Sequence, residues 1–196
     1  MRVLILAGGK GTRLSPLTKY APKVMMSIHG QPFLYYLIKA YHKHDIVLSV
    51  NYMKEAIKNW CRFTKNYLEF VEEPEFCGTG GALRMSEQFF QGKRKFAMVN
   101  GDTYLSEPLE KIAKAHNFKK DLITSVYAKD VLTGKRDNAG VYIMSAEIFE
   151  HVQKPKVFNL EDKFDSIPVK VYESKGTYLD IGSHEGLKYA KKNMFC

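Results

Sequence analysis

A chain of 196 residues with 45% hydrophobic and 13% aromatic content can bury one substantial core and is short for two, so a single domain over residues 1–196 is expected. No apolar run reaches the roughly 18–20 residues of a bilayer span, and the opening MRVLILAGG turns into a polar glycine loop where a signal peptide would still be apolar. The net charge of +9 raises a nucleic-acid partner, but the basic residues are dispersed at helical spacing (Lys54, Lys58, Arg62, Lys65) with no basic stripe interleaved with aromatics, which sets that partner aside.

A soluble, cytoplasmic protein without a membrane partner is therefore expected. The three cysteines, Cys61, Cys77 and Cys196, match no zinc or disulfide-framework spacing and fit a reducing compartment. The six histidines form no recognisable catalytic or metal pair.

In chain order, the apolar run Val3–Ala7 predicts a first strand, followed by the glycines Gly8, Gly9 and Gly11 and then Arg13. Phe33, Leu34, Leu37, Ile38 and Tyr41 mark one face of a helix that Pro32 can open. A strand at Ile46–Val50, a helix near 54–65 and a strand at Leu68–Val71 come next, leading into the loop EEPEFCGTGGA, residues 72–82. A helix near 80–90 precedes the strand Phe96–Val99, which ends in Asn100-Gly101-Asp102-Thr103. Then follow a helix near 108–117, strands Leu122–Ala128 and Gly140–Met144, a helix near 145–152, strands Val169–Tyr172 and Gly176–Leu179, and a helix near 183–192. This alternation predicts an α/β, Rossmann-like domain with a mostly parallel mixed sheet flanked by helices. Such sheets bind ligands at the carboxyl ends of their strands, which directs attention to the loops after residues 7, 71, 99 and 179.

The loop Gly8–Leu14 can bring bare backbone N–H groups against phosphate oxygens. It is neither of the two common phosphate motifs, because Leu14 stands where a dinucleotide fingerprint needs its third glycine and no G-x-x-x-x-G-K-[ST] is present. Taken alone, a simple glycine turn reads equally well; Lys23, after Pro22, supplies a second cation that can return to the same place. Asp102 and Asp180 each follow a strand, where an aspartate also serves as a cap or turn former. Two carboxylates facing a triphosphate repel unless a cation lies between them, and Mg²⁺, held by one or two carboxylates plus substrate phosphates, resolves that conflict.

The segment GGKGTRLSPLTKYAPKV resembles the opening signature of the sugar-1-phosphate nucleotidyltransferases, G-G-x-G-T-R-L-x-P-x-T-x-x-x-P-K-P, up to the final proline, which is Val24 here. The resemblance implies a GT-A-like fold. It also implies a nucleotide wrapped by Leu6, Ala7, Gly8, Gly9, Gly11 and Thr12, a triphosphate held by Arg13, and Lys23 on the phosphate under attack. Asn100-Gly101-Asp102 and Asp180-Ile181-Gly182 are similar to the family's metal-binding segments, which places Asp102 and Asp180 on Mg²⁺. EEPEFCGTGGA resembles the base-reading loop E-x-P-x-G-T-x-x-A with two extra residues before Gly78, so Glu73, Gly78 and Thr79 are expected at the base, with Glu72 and Glu75 competing for the place of Glu73.

Asn138-Ala139-Gly140-Val141-Tyr142 matches the family's N-A-G-x-Y, and Leu160-Glu161-Asp162 resembles a segment beside the sugar pocket, which implies Asn138, Gly140 and Glu161 at the sugar. The hairpin and Glu-Lys pair that precede N-A-G in relatives are shortened here. Lys129 is the candidate for the sugar phosphate, with Lys135 and Arg136 as substitutes.

Overall, the chain looks most like the compact mannose- and heptose-1-phosphate guanylyltransferases. Guanine offers two donors on one edge, for which a carboxylate at Glu73 is the natural complement. The partners implied are a nucleoside triphosphate, GTP before others, and a sugar 1-phosphate; a homodimer is compatible with the sequence. Two other readings stay open at this level: activation of a non-sugar phosphate such as phosphocholine, and a non-catalytic nucleotide-binding regulatory subunit.

Overall fold

The computed structural model describes residues 1–92, 94–153 and 155–194, so Cys196 lies outside the described residues. Ten strands and six helices follow one another as β1 (Arg2–Leu6), β2 (Ser27–Ile28), β3 (Gln31–Pro32), α1 (Phe33–Ala40), β4 (Asp45–Val50), α2 (Lys54–Phe63), β5 (Glu69–Glu72) and α3 (Gly78–Met85). They continue with β6 (Lys95–Asn100), β7 (Thr103–Leu105), α4 (Leu109–Ala115), β8 (Ile123–Asp130), β9 (Arg136–Ser145), α5 (Ile148–His151), β10 (Val169–Asp180) and α6 (His184–Asn193).

Eight strands form one sheet in the order β5-β4-β1-β6-β9-β8-β10-β7, and β2 pairs with β3 in a separate small ribbon. β5, β4, β1 and β6 run parallel, as do β8 and β10, whereas β9 is antiparallel to both its neighbours and β7 is antiparallel to β10. The expected mixed α/β sheet is present.

Helices cover both faces of the sheet, and the side-chain alternation of period two shows it. Val3 and Ile5 of β1 enter one apolar core with Phe33, Leu37, Ile57, Ile112 and Leu187 from helices α1, α2, α4 and α6. Leu4 of the same strand enters the other core with Leu83, Ile148 and Phe149 from α3 and α5. A central parallel strand buried on both sides has to be apolar through its middle, which is why residues 3–6 read as a continuous run rather than an alternation. In the second core Phe96 stacks on Phe149 with ring centroids 5.5 Å apart. Burying side chains of this size contributes about 1.5–3 kcal/mol each.

Three expectations need correction. Val169–Tyr172 and Gly176–Leu179 are one strand, β10, carrying a bulge between Glu173 and Thr177. The bulge is held by Glu107, whose carboxylate accepts from the Lys175 N–H at 3.2 Å and from the Tyr172 hydroxyl at 3.2 Å. The helix expected over 80–90 begins at Gly78 and stops at Ser86, whose hydroxyl donates back to the Leu83 carbonyl at 2.6 Å and competes with the helical ladder. The helix expected over 145–152 shrinks to Ile148–His151 because Ser145 still belongs to β9, its hydroxyl held 2.9 Å from His116 Nε2. Among the described residues no helix is long and apolar enough to cross a membrane.

Candidate active site

The chain turns from β1 outward to β4 and β5 on one side and meets β6 on the other, so the strand order branches between β1 and β6. Ligand crevices of open α/β sheets form at the carboxyl ends of strands at such a branch. A cleft of about 160 Å³ lies there, lined by Leu6, Ala7, Gly8 and Gly9 after β1 and by Asn100, Gly101 and Asp102 after β6. Glu73, Phe76, Gly78, Thr79 and Ala82 close it from the loop after β5 and the start of α3, and Lys23 and Val24 from a short 3-10 turn. A second cleft, of about 350 Å³, shares Gly9, Lys23 and Phe76 with the first and adds Lys10, Gly11, Thr12 and Arg13.

Two cation–carboxylate pairs stand together beside these clefts. Lys23 Nζ donates to Asp102 Oδ2, and Arg13 Nη2 donates to Asp180 Oδ2 at 3.3 Å. The second proline of the signature is replaced by Val24, and the turn it belongs to is fixed instead by burial of that side chain in the first core. Asp102 and Asp180 come from distant strands and are brought together by β7, whose Thr103 pairs with Asp180, and by the Ile181 N–H, which donates to the Asp102 carbonyl at 2.9 Å.

Glycine at position 182 keeps the space between the carboxylates open. A methyl group there would come 2.7 Å from Asp180 Oδ1, 2.8 Å from Arg13 Nη2 and 3.2 Å from Asp102 Oδ2, so both carboxylates and the guanidinium border this space. Burial first, and then the charge of Asp102, raise the Asp180 carboxyl above the usual carboxylate range, against the opposing pull of the Gly182 N–H, Lys23 and Arg13. Two converging oxygen donors, one of them reluctant to ionise, fit a divalent oxygen-seeking ion that completes its shell with water and phosphate. The described residues hold no group of three or more His, Cys, Asp or Glu suited to an all-protein metal cage.

The same pKa shift bears on stability. An acid whose folded pKa is raised loses native stability as pH climbs from its unfolded pKa through its folded pKa, because over that window the native state ionises less readily than the unfolded chain. In metal-free protein at neutral pH, Asp180→Asn is therefore expected to unfold no earlier than the parent. A loss of more than about 2–4 °C in Tm in the presence of EDTA, roughly 1 kcal/mol for a chain of this size, would contradict it.

Of the three glutamates in the segment 72–82, Glu73 is the one that lines the cleft. Lys54 and Lys58 of α2 bind the Glu72 carboxylate at 2.9 and 2.6 Å and hold it at a pKa of about 2, and Glu75 is exposed. Glu73 is 4% exposed; its Oε1 accepts from the Ser49 hydroxyl at 2.6 Å and its Oε2 from the Cys77 thiol at 3.2 Å. Burial and the neighbouring carboxylate push the Cys77 thiol up to about 12, which keeps it protonated and a donor at neutral pH. Gly8 makes room for this carboxylate, since a methyl group at position 8 would lie 2.9 Å from Glu73 Oε1.

Asn138, Gly140 and Glu161 meet in one hydrogen-bonded group. Asn138 Oδ1 accepts from the Gly140 N–H at 2.9 Å while its amide donates to the Tyr142 hydroxyl at 3.1 Å. Tyr142 donates to Glu161 Oε1 at 2.5 Å, and the Thr79 hydroxyl donates to Glu161 Oε2 at 3.2 Å. Thr79 thereby joins the base segment to the Glu161 segment, a link the sequence does not display.

Lys129 stands apart from this group. It is exposed on β8, two residues beyond Tyr127, the partner of Asn138, which is about 7 Å along the strand. Lys135 is exposed in the tight turn after β8, where Asp130 Oδ1 accepts from the Leu132 and Thr133 N–H groups at 2.8 and 2.7 Å. Arg136 is gripped by both carboxylate oxygens of Glu173, with Nε at 2.8 and 2.9 Å, and lies 4.2 Å above the Tyr127 ring, so its charge is already matched. Sequence reasoning left Ser49, Phe76 and Cys77 unassigned, and took Lys10 and Tyr142 only as members of the glycine loop and of the N-A-G-x-Y match.

Known proteins resemble the chain over most of its length. The chain is 29% identical to mannose-1-phosphate guanyltransferase of Saccharomyces cerevisiae over 93% of its own length and 61% of that protein's, so it spans about three-fifths of that relative. It is 26% identical to D-glycero-alpha-D-manno-heptose 1-phosphate guanylyltransferase of Campylobacter jejuni over 94% of its length and 96% of that protein's. The crystal structure of HddC from Yersinia pseudotuberculosis complexed with GMP-PN superposes with a TM-score of 0.84 at 28% identity, covering 97% of each chain. Residues 2–183 match the nucleotidyl transferase family, and the chain belongs to it.

Proposed function

We propose that the protein transfers a nucleoside monophosphate, GMP before others, from a nucleoside triphosphate to a heptose- or mannose-type sugar 1-phosphate, releasing pyrophosphate. The observation that carries this is the joining of the Lys23–Asp102 and Arg13–Asp180 pairs to a cleft lined by the buried carboxylate of Glu73. A sugar 1-phosphate is already an anion, so no side chain has to become the nucleophile; the protein's task is to position two phosphates and balance their charge. Arg13 takes the leaving pyrophosphate as a planar fork, and Lys23 places a point charge at the α-phosphate. Asp102 and Asp180 would hold Mg²⁺, which when bound supplies charge stabilisation at the phosphate oxygens.

Glu73, with Ser49 and Cys77 fixing its two oxygens, keeps lone pairs for the N1–H and 2-amino donors of guanine. Asn138, Gly140 and Glu161 receive the sugar hydroxyls, and Lys129, exposed on β8 two residues beyond the partner of Asn138, is assigned to the sugar phosphate. A reaction that draws on nucleoside triphosphate fits a cytoplasmic enzyme.

Pyrophosphate release measured for GTP, ATP, CTP, UTP and dTTP against a panel of sugar 1-phosphates tests the proposal. GTP with a mannose- or heptose-type acceptor is expected to give the highest kcat/KM. Glu73→Gln should lose about 1–3 kcal/mol of the preference for GTP, the worth of one bidentate base contact. A parent enzyme that prefers CTP or dTTP, or unchanged selectivity in the variant, removes Glu73 from that role.

A further inference from the structure

Between the buried side chains of Glu73 and Cys77, the residues Pro74, Glu75 and Phe76 arch outward over the cleft. Both feet of the arch are fixed. The Glu73 N–H donates to the Val50 carbonyl at 2.9 Å, the Asn51 amide donates to the Glu73 carbonyl at 2.9 Å, and the Phe158 N–H donates to the Cys77 carbonyl at 3.1 Å. The thiol-to-carboxylate hydrogen bond of Cys77 to Glu73 closes the base of the arch. This loop has two residues beyond the family pattern before Gly78.

Phe76 is 53% exposed, an apolar ring held in water where Lys10, Arg13 and Lys23 gather positive charge. It lines both the cleft that contains Glu73 and the cleft that contains Lys10 and Arg13. A molecule with a planar head beside Glu73 and phosphates beside Arg13 has to pass under this ring. An exposed aromatic at such a junction gains most from a flat π-face laid against it.

Building on the nucleotidyl-transfer reading, we propose that Phe76 is a stacking platform for the nucleotide base, covering a purine whose edge is read by Glu73 and favouring purine over pyrimidine triphosphates. Its contribution is to binding of the nucleoside and not to the phosphate chemistry, which separates it from Arg13 and Lys23.

The test compares parent, Phe76→Ala and Phe76→Trp. Phe76→Ala is expected to raise KM for GTP about tenfold, with the effect falling on KM rather than kcat, and to leave inhibition by inorganic tripolyphosphate, which has no base, as it is in the parent. Phe76→Trp should restore the KM, and its added fluorescence, read against that of Trp60, should be quenched by GTP and not by tripolyphosphate. An unchanged KM for GTP in Phe76→Ala overturns the proposal. So does an equal weakening of tripolyphosphate, which would mark collapse of the loop, or a Phe76→Trp signal that GTP does not alter. A parent that releases no pyrophosphate with any triphosphate would sink the transfer reading alone, because the fluorescence titration needs no turnover.

Discussion

Asp102→Asn and Asp180→Asn are each expected to lower kcat by at least about a hundredfold while leaving the fold intact, and excess EDTA should do the same to the parent. The expectation follows from charge. The two carboxylates converge beside Gly182, with oxygens 2.7 and 3.2 Å from one point and Arg13 Nη2 2.8 Å from it, and a phosphate-rich substrate that engages Arg13 adds more negative charge to the same place. Without a cation the ensemble repels itself; an amide in place of either carboxylate halves the charged donor set and loosens the ion. Loss of one preorganised electrostatic contact costs on the order of a hundredfold or more in turnover. Near-parent turnover in either variant, or full activity in EDTA, would show that the two carboxylates do not share a metal.

Lys23→Ala is expected to lower kcat by roughly a hundredfold, and Arg13→Lys to act chiefly on KM for the triphosphate. The surroundings of the two cations differ. Lys23 is 16% exposed and pinned to Asp102, also largely shielded at 13%, so its charge acts where solvent screening is weak. Arg13 is 66% exposed and reaches Asp180 through one nitrogen, leaving the rest of its fork for phosphate oxygens. A lysine keeps the charge at that position but cannot reproduce the planar pair of donors. Steady-state kinetics of both variants decide the point: parental kcat and KM in both would place the phosphate site elsewhere.

Much of this arrangement is legible in the sequence because its pieces are local. β1, β4 and β6 are buried on both faces and read as largely apolar runs, and the glycine loop, Asp102 and Asp180 stand at strand ends. What is not legible depends on contacts between distant segments. Nothing in EEPEFCGTGGA says which glutamate turns inward; Lys54 and Lys58 on α2 settle it by taking Glu72, and Ser49 on β4 by holding Glu73. Tyr142 could be read only as part of a family motif, yet it is the link between Asn138 and Glu161. The three residues of β7 are too few to show a period, and the bulge of β10 split one strand into two because Gly176 and its neighbours look like a turn.

The pairing of β7 with β10 also has a consequence for when the protein becomes competent. Arg13 and Asp180 are 167 positions apart, and Asp180 reaches Asp102 only once the tenth strand has docked on β8 and β7. During synthesis the glycine loop, Lys23, Glu73 and Asp102 emerge first, with only one of the two carboxylates among them. Closing so long a span is entropically unfavourable and comes late on the folding route. The second carboxylate therefore joins the other groups only when the sheet is complete, as the last member of the cluster to arrive.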